Sequence, residues 1–200
     1  MSDWNVTPAL TGAHVRLVPL QPAHAPALGE AASDGQLWRL GYTSVPSAGT
    51  AAAYIDKALA MQAAGTALAF AVLDAAGAVV GSTRFYGLDP DAPRVQIGYT
   101  WYARRVQRTA LNTEAKLLLL GHAFDVLDCI SVGFETSALN SASRNAIARL
   151  GARQDGVLRS HMRHADGSVR DTVAFSIIQA EWPSVQQHLN ARLERYAHAL

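Results

Sequence analysis

The chain has a single cysteine, Cys129, and only 16% of its residues are charged. One cysteine excludes an intramolecular disulfide and a cysteine-rich zinc site. Its setting in the apolar stretch "VLDCISV" points to a buried, inert thiol rather than a nucleophile. Scarce charge, together with 50% hydrophobic residues, excludes a disordered chain. The formal net charge of +1 leaves no basic surplus, so no nucleic-acid partner is expected. The arginines of the C-terminal half are spread out and intermixed with Asp155, Asp166 and Asp171. No apolar run approaches the ~20 residues of a membrane span, and no charged-then-apolar leader opens the chain, so a cytoplasmic protein off the membrane is expected. Repeats, linkers and low-complexity tracts are missing too, as is any GxxxxGK[ST] loop, which disfavours a nucleotide-hydrolysing P-loop.

The 200 residues suit one domain, residues 1–200, able to bury a core without metals or disulfides. "HVRLVPL" (14–20) alternates and reads as a first strand, and residues 25–32 as a short helix after Pro22. A loop, "GYTSVPSAGT", leads into the helix "AAAYIDKALAMQAAG", stopped at Gly65. "TALAFAVLD", "GAVVGSTRFYGL" and "RVQIGYTWY" are strands joined by turn chemistry, an antiparallel meander. The next helix carries Leu111, Ala115, Leu118, Leu119, Ala123 and Val126 at helical spacing. "CISVGFET" is a buried strand, and "NSASRNAIARLG" a helix capped by Asn140 or Ser141 and ended by Gly151. A hairpin turns at Asp166-Gly167. The last helix, about 181–199, has Trp182, Val185, Leu189 and Leu193 spaced to dock. The order implies an α/β (α+β) fold, with one central, mostly antiparallel mixed sheet of about seven strands, flanked by four helices plus the C-terminal one.

Most informative is "ARRVQRTALNTEAKLLLL" (103–120). A cationic, hydroxyl-rich loop runs straight into a strongly apolar helix. The first N–H groups of such a helix are unpaired and carry partial positive charge, so an anion, above all a phosphate, is the natural partner. Arg104, Arg105 and Arg108 add formal charge there, and the leucines anchor the helix in the core. Without context, a capped helix with a solvated basic approach would explain the same residues. The strand before it contains Gly98, and an interior glycine often marks a bulge or a close ligand approach.

"VQRTALNTEA" resembles the pyrophosphate loop Q/R-x-x-G-x-G/A of the GCN5-related N-acetyltransferases. Gln107 takes the first position, Ala110 the usual glycine, and Asn112 the usual glycine or alanine. "LTGAHVRLVPLQPAH", "LNSASRNAIARLGA" and "DGSVRDTVAFSI" followed by "EWP" resemble the first strand, the Asn-x-x-Ser helix and the closing hairpin of RimJ/RimL-type members. The resemblance covers nearly the whole chain. It implies acetyl-CoA as cosubstrate, no metal, and direct attack of a neutral amine on the thioester. The departures are as clear. Ala110 lacks the free positive φ of glycine, so the loop must stay at negative φ there or carry strain. Ile147 stands where many relatives have the tyrosine that protonates the thiolate, and Gln96 where many have a strand glutamate.

The resemblance assigns the coenzyme to Thr100, Trp101, Gln107, Arg108, Thr109, Ala110, Leu111, Asn112, Thr113, Asn140 and Ser143. A backbone N–H around Tyr99 and Thr100 is the candidate donor to the oxyanion, although an ordinary paired strand amide would look the same in sequence. Ser143 is the candidate for a hydrogen bond to the leaving thiolate, against plain capping of its helix by Asn140 and Ser143. For the base, His161 or His164 would titrate in the right range, against the alternative of a surface histidine. Glu135, Asp171 and Tyr99 are weaker candidates, with Asp171 read as structural.

An α-amino group is neutralised far more easily than a lysine ε-amine. A chain without an obvious strong base should therefore take protein N-termini or small amino-acid-like amines. No acidic cluster is visible that would suit polycationic acceptors. Trp38, Tyr42 and Tyr54 are expected near the acceptor wall, although Tyr54 fits the core better. A homodimer through the last helix or hairpin fits the sequence but is not required by it. The rival from another class is a non-catalytic acyl-CoA-binding module.

Overall fold

A computed structural model of the chain describes residues 4–164 and 166–197. It contains eight strands, β1 (Leu10–Thr11), β2 (Val15–Pro19), β3 (Ala67–Asp74), β4 (Val79–Asp89), β5 (Arg94–Tyr102), β6 (Ser131–Ser137), β7 (Arg153–Arg163) and β8 (Val169–Ile178). Five helices accompany them, α1 (Ala25–Ser33), α2 (Ala51–Ala63), α3 (Ala110–Gly121), α4 (Ser141–Ala148) and α5 (Trp182–Ala197). All strands join one sheet in the order β1-β2-β3-β4-β5-β6-β8-β7. Every pairing is antiparallel except β5 with β6. The sequence pattern had about seven strands; the eighth is the two-residue β1, too short for any periodicity to show.

The hydrophobic pattern explains the layering. β3 is buried along almost its whole length, as expected of a strand covered on both faces. Trp101 of β5 hydrogen-bonds Tyr54 of α2, while its neighbour Thr100 is bonded to Lys116 of α3. Because successive strand residues point to opposite faces, α2 and α3 cover opposite sides of the sheet. α5 packs along α3 and docks through Trp182, Val185 and Leu189, as its spacing demands. β7, by contrast, is exposed almost throughout, being the outermost strand beyond the helical cover.

Two local readings shift. Val126 is not a core residue but 53% exposed. The chain widens into a π turn over His122–Val126, so the 3.6-residue period that placed Val126 inward no longer holds there. Ala110 is the first residue of α3, and the left-handed backbone falls instead on Arg108, φ 62. The alanine escapes strain because the turn is made two residues earlier. The far end of the last helix, 198–199, lies outside the described residues.

Candidate active site

The site begins with a parting of strands. β5 and β6 pair only through Arg94↔Ser131, Val95↔Val132 and Gln96↔Gly133. Beyond that, β5 continues to Tyr102 bonded to β4, and β6 continues to Ser137 bonded to β8. Each strand therefore keeps one unpaired edge on either side of an opening. Unpaired edges offer backbone N–H and C=O groups to any extended ligand carrying amides.

A bulge lies on the β5 side of this opening. The β4–β5 register passes from Ser82↔Trp101 to Arg84↔Gly98, which leaves β5 with one extra residue. Tyr99 absorbs it with φ 51, an uncommon conformation for an aromatic residue that must be held by its surroundings. Gly98 is needed beside it, because a Cβ there would lie 2.6 Å from the Tyr86 ring. The Tyr99 carbonyl accepts from the Tyr54 hydroxyl at 3.5 Å, and its ring packs edge-on to Tyr86 at 5.3 Å. The fully buried Arg84 guanidinium lies over both Tyr99 and Tyr54, 4.4 and 4.7 Å from their ring centres.

At the mouth of the opening, on the α3 side, Arg104–Val106 form a tight turn. Gln107 donates its side-chain amide to the Tyr102 carbonyl at 2.9 Å, tying the loop to the strand. Thr109 caps α3, its Oγ1 accepting from the Leu111 N–H at 3.3 Å and donating to the Val106 carbonyl at 2.7 Å. A cleft of about 370 Å³ lies in front of this helix start. It is lined by Arg108, Thr109, Asn112 and Thr113, by Ala146 of α4 with Arg149 and Leu150 just beyond it, and by Arg192 and Tyr196 of α5. Three arginines and a helix N-terminus in one concavity make an anion site, with forked donors suited to phosphate.

The opposite face of the sheet is different in character. Arg84 reaches Met61 on α2, so β4 residues Arg84 and Tyr86, and their partners Gly98 and Gln96, point away from α3. A second cleft of about 600 Å³ opens on that face, lined among others by Asp89, Arg94, Gln96, Glu135 and Asp155. This corrects the expectation that no acidic cluster exists: folding collects three carboxylates from β4, β6 and β7. Asp89 is held by Arg94 at 2.9 Å, and Asp155 accepts from Ser176 at 2.8 Å. Burial pushes the Tyr86 phenol above its ordinary value, with the Glu135 charge and Tyr99 adding to the rise and Arg170 opposing it. The Gln96 Oε1 is buried without a hydrogen-bond partner.

The remaining expected site residues are spread over several elements. Asn140 caps α4, its Oδ1 accepting from the Ser143 N–H at 3.0 Å. The short link 138–140 therefore brings Ser143 close to the end of β6. Ile147 is buried in the core. Trp101 points towards α2, 6.4 Å from the Tyr54 ring. Ala110 and Leu111 are buried and support the helix start. His161 is exposed on the outermost strand, beside Ser160 at φ 49, while His164 lies 3.4 Å from the Ser137 hydroxyl at the end of β6. Asp171 accepts the Ser160 N–H at 2.7 Å, a structural contact. Sequence reasoning did not single out Arg149, Arg192, Arg84, Tyr86 or Lys116. Each looks like ordinary helix or strand composition until the fold brings it to a cleft or to the bulge.

Residues 14–153 match the family model described as an acetyltransferase (GNAT) domain. A GCN5-related N-acetyltransferase from Brucella melitensis shares 31% identity, with a TM-score of 0.83 over 94% of this chain and 86% of that one. A T. thermophilus protein assigned as an acetyltransferase shares 33%, with a TM-score of 0.81 over 92% and 96%. RimJ of Mycobacterium smegmatis, solved with CoA-disulfide, shares 20% at TM-score 0.78 over 94% and 96%, a likeness of fold alone. No curated protein gave a significant match. Among the described residues no helix is long and apolar enough to cross a membrane, and no cluster of histidine, cysteine or carboxylate side chains could hold a metal ion. Matching domain, matching fold, a parted pair of strands and a phosphate-suited helix start agree: the chain belongs to the GNAT acetyltransferase family and is an acetyl-CoA-dependent N-acetyltransferase.

Proposed function

We propose that the chain acetylates a primary amine on a protein N-terminus or a small amino-acid-like molecule, by direct attack within a ternary complex. The observation that carries this reading is the parting of β5 and β6, with an arginine cleft at the start of α3 and a carboxylate-lined cleft on the opposite face beside the paired ends of these strands. Coenzyme phosphates fit the first, among Arg108, Arg149, Arg192 and the N–H groups from Thr109 to Thr113. The pantetheine amides fit the unpaired edges of β5 and β6. A cationic amine is drawn to the second, where it must shed a proton before attack.

The Tyr99–Thr100 bulge is the proposed source of the N–H that receives the thioester oxyanion, in the way preorganised donors lower such barriers. Glu135 is the proposed proton acceptor. It is half-buried, lies on β6 next to the opening, and faces the acceptor cleft. His161, solvated on the edge strand, is the competing base, and the two differ in what a substitution would do. Ser143, at the start of α4, is proposed to donate to the departing thiolate in place of the tyrosine that Ile147 replaces.

Thiol release from acetyl-CoA, measured with a panel of N-terminal peptides, free amino acids and lysine-bearing peptides, tests the reading. Release with α-amines above the other acceptors supports it. Release with none, despite bound acetyl-CoA, would contradict it.

A further inference from the structure

Lys116 sits on the inner side of α3, 6% exposed. Its Nζ donates to Thr100 Oγ1 at 3.0 Å. Thr100 Oγ1 is itself 2.8 Å from Thr83 Oγ1 and 3.4 Å from the Gly98 carbonyl. Among the described residues no ion pair involves Lys116. Burial lowers its amine from 10.5 to about 7.

A lysine in this position weakens the fold. A buried amine without a carboxylate is costly to desolvate, and an apolar chain of similar length would pack there at less cost. Nor does Thr100 need it, since its hydroxyl already has Thr83 and the Gly98 carbonyl. Among the described residues its one side-chain hydrogen bond goes to the residue after the strained Tyr99. From the other face, Arg84 and the Tyr54 hydroxyl grip Tyr99 itself. The bulge is thus clamped through the sheet, with a buried basic side chain on each face. A backbone strained in this way persists only where its surroundings over-determine it.

We propose that Lys116 is a positioning residue for acetyl transfer, holding Thr100 so that the bulge keeps its N–H aimed into the β5–β6 opening. The inference rests on the reading of that bulge as the oxyanion donor. It separates the role of the lysine from that of the coenzyme site, because Lys116 lies behind the strand rather than in the arginine cleft.

The test is Lys116→Met, Thr100→Val and the double variant, assayed beside wild type for thermal unfolding, kcat and the KM for acetyl-CoA. Lys116→Met is expected to unfold at a higher temperature than wild type, since an uncompensated buried amine is removed. Its kcat is expected to fall roughly 10- to 100-fold, the scale of misplacing a reacting group, with KM for acetyl-CoA unchanged. Thr100→Val should lower kcat similarly, and the double variant should be no worse than the poorer single one. A Lys116→Met protein that keeps wild-type kcat, or loses only coenzyme affinity, overturns the proposal. So does loss of stability together with kcat, which would make Lys116 a plain structural residue. Wild-type protein without any amine-dependent thiol release would instead remove the acetyl-transfer reading beneath it.

Discussion

The arginine cleft and the carboxylate cleft are opposites. The one under α3 gathers Arg108, Arg149 and Arg192 around a helix N-terminus; the one on the far face gathers Asp89, Glu135 and Asp155. A chain with a net charge of +1 gathers arginines in one cleft and three carboxylates in the other, where Arg94 neutralises Asp89. Under the proposed reading, the separation suits a polyanionic donor and a cationic acceptor, each disfavoured in the other's cleft by like-charge repulsion.

The comparison can be broken most severely on the acceptor side. Glu135→Gln is expected to cut kcat by about 10²- to 10⁴-fold, the usual worth of a general base, with the KM for acetyl-CoA unchanged. His161→Ala should leave kcat near wild type. The reverse result would move the base to the edge strand.

On the donor side, Arg149→Ala with Arg192→Ala should weaken acetyl-CoA binding by roughly 10- to 100-fold, from the loss of charge-assisted contacts. Titration calorimetry should show it, and the acceptor KM should not move. A pair of variants that bind acetyl-CoA normally would leave the arginine cleft without its ligand.

A third prediction concerns the pH dependence of stability. The folded Lys116 amine titrates near 7 against 10.5 for the free group, so the unfolded chain binds more protons between those values. Stability should therefore rise as pH increases from 7 towards 10, and the full burial cost, roughly 5 kcal/mol, applies below 7. Cys129 and the buried phenols Tyr86 and Tyr102, whose pKa values are raised, act in the opposite sense only at the alkaline end. Urea unfolding of wild type and Lys116→Met between pH 7 and 8.5 isolates the lysine, and the wild-type rise should flatten in the variant. A wild-type slope equal to that of the variant would argue against a buried amine.

The smallest expected effect is at the cap of α3. Thr109→Ala should cost about 1 kcal/mol of stability by freeing the Leu111 N–H. It should also weaken the coenzyme modestly, and Thr109→Ser should restore both.

The local structure around the start of α3 was largely readable because its signals are local. The helix start at Thr109, the cap at Asn140 and the turn at Gly167 depend on residues within a few positions of one another. The carboxylate cleft was hidden, since Asp89, Glu135 and Asp155 come from three strands and converge only through sheet order. Arg149 and Arg192 escaped for the same reason: each reads as a solvated helix residue until α4 and α5 are packed beside α3. The bulge was half readable. Gly98 marked the strand as irregular, but nothing in the residue types indicated that Tyr99 would take the left-handed conformation, because register against β4 decides it. Val126 was misread as an inward residue because a π turn carries no periodic signature.

A crystal structure with acetyl-CoA tests the central claim most directly. The account expects the phosphates among Arg108, Arg149 and Arg192, and the pantetheine amides on the unpaired edges of β5 and β6. The thioester oxygen should lie within hydrogen-bond reach of the backbone at Tyr99–Thr100. Coenzyme bound away from the parted strands, or a thioester far from that bulge, would contradict it.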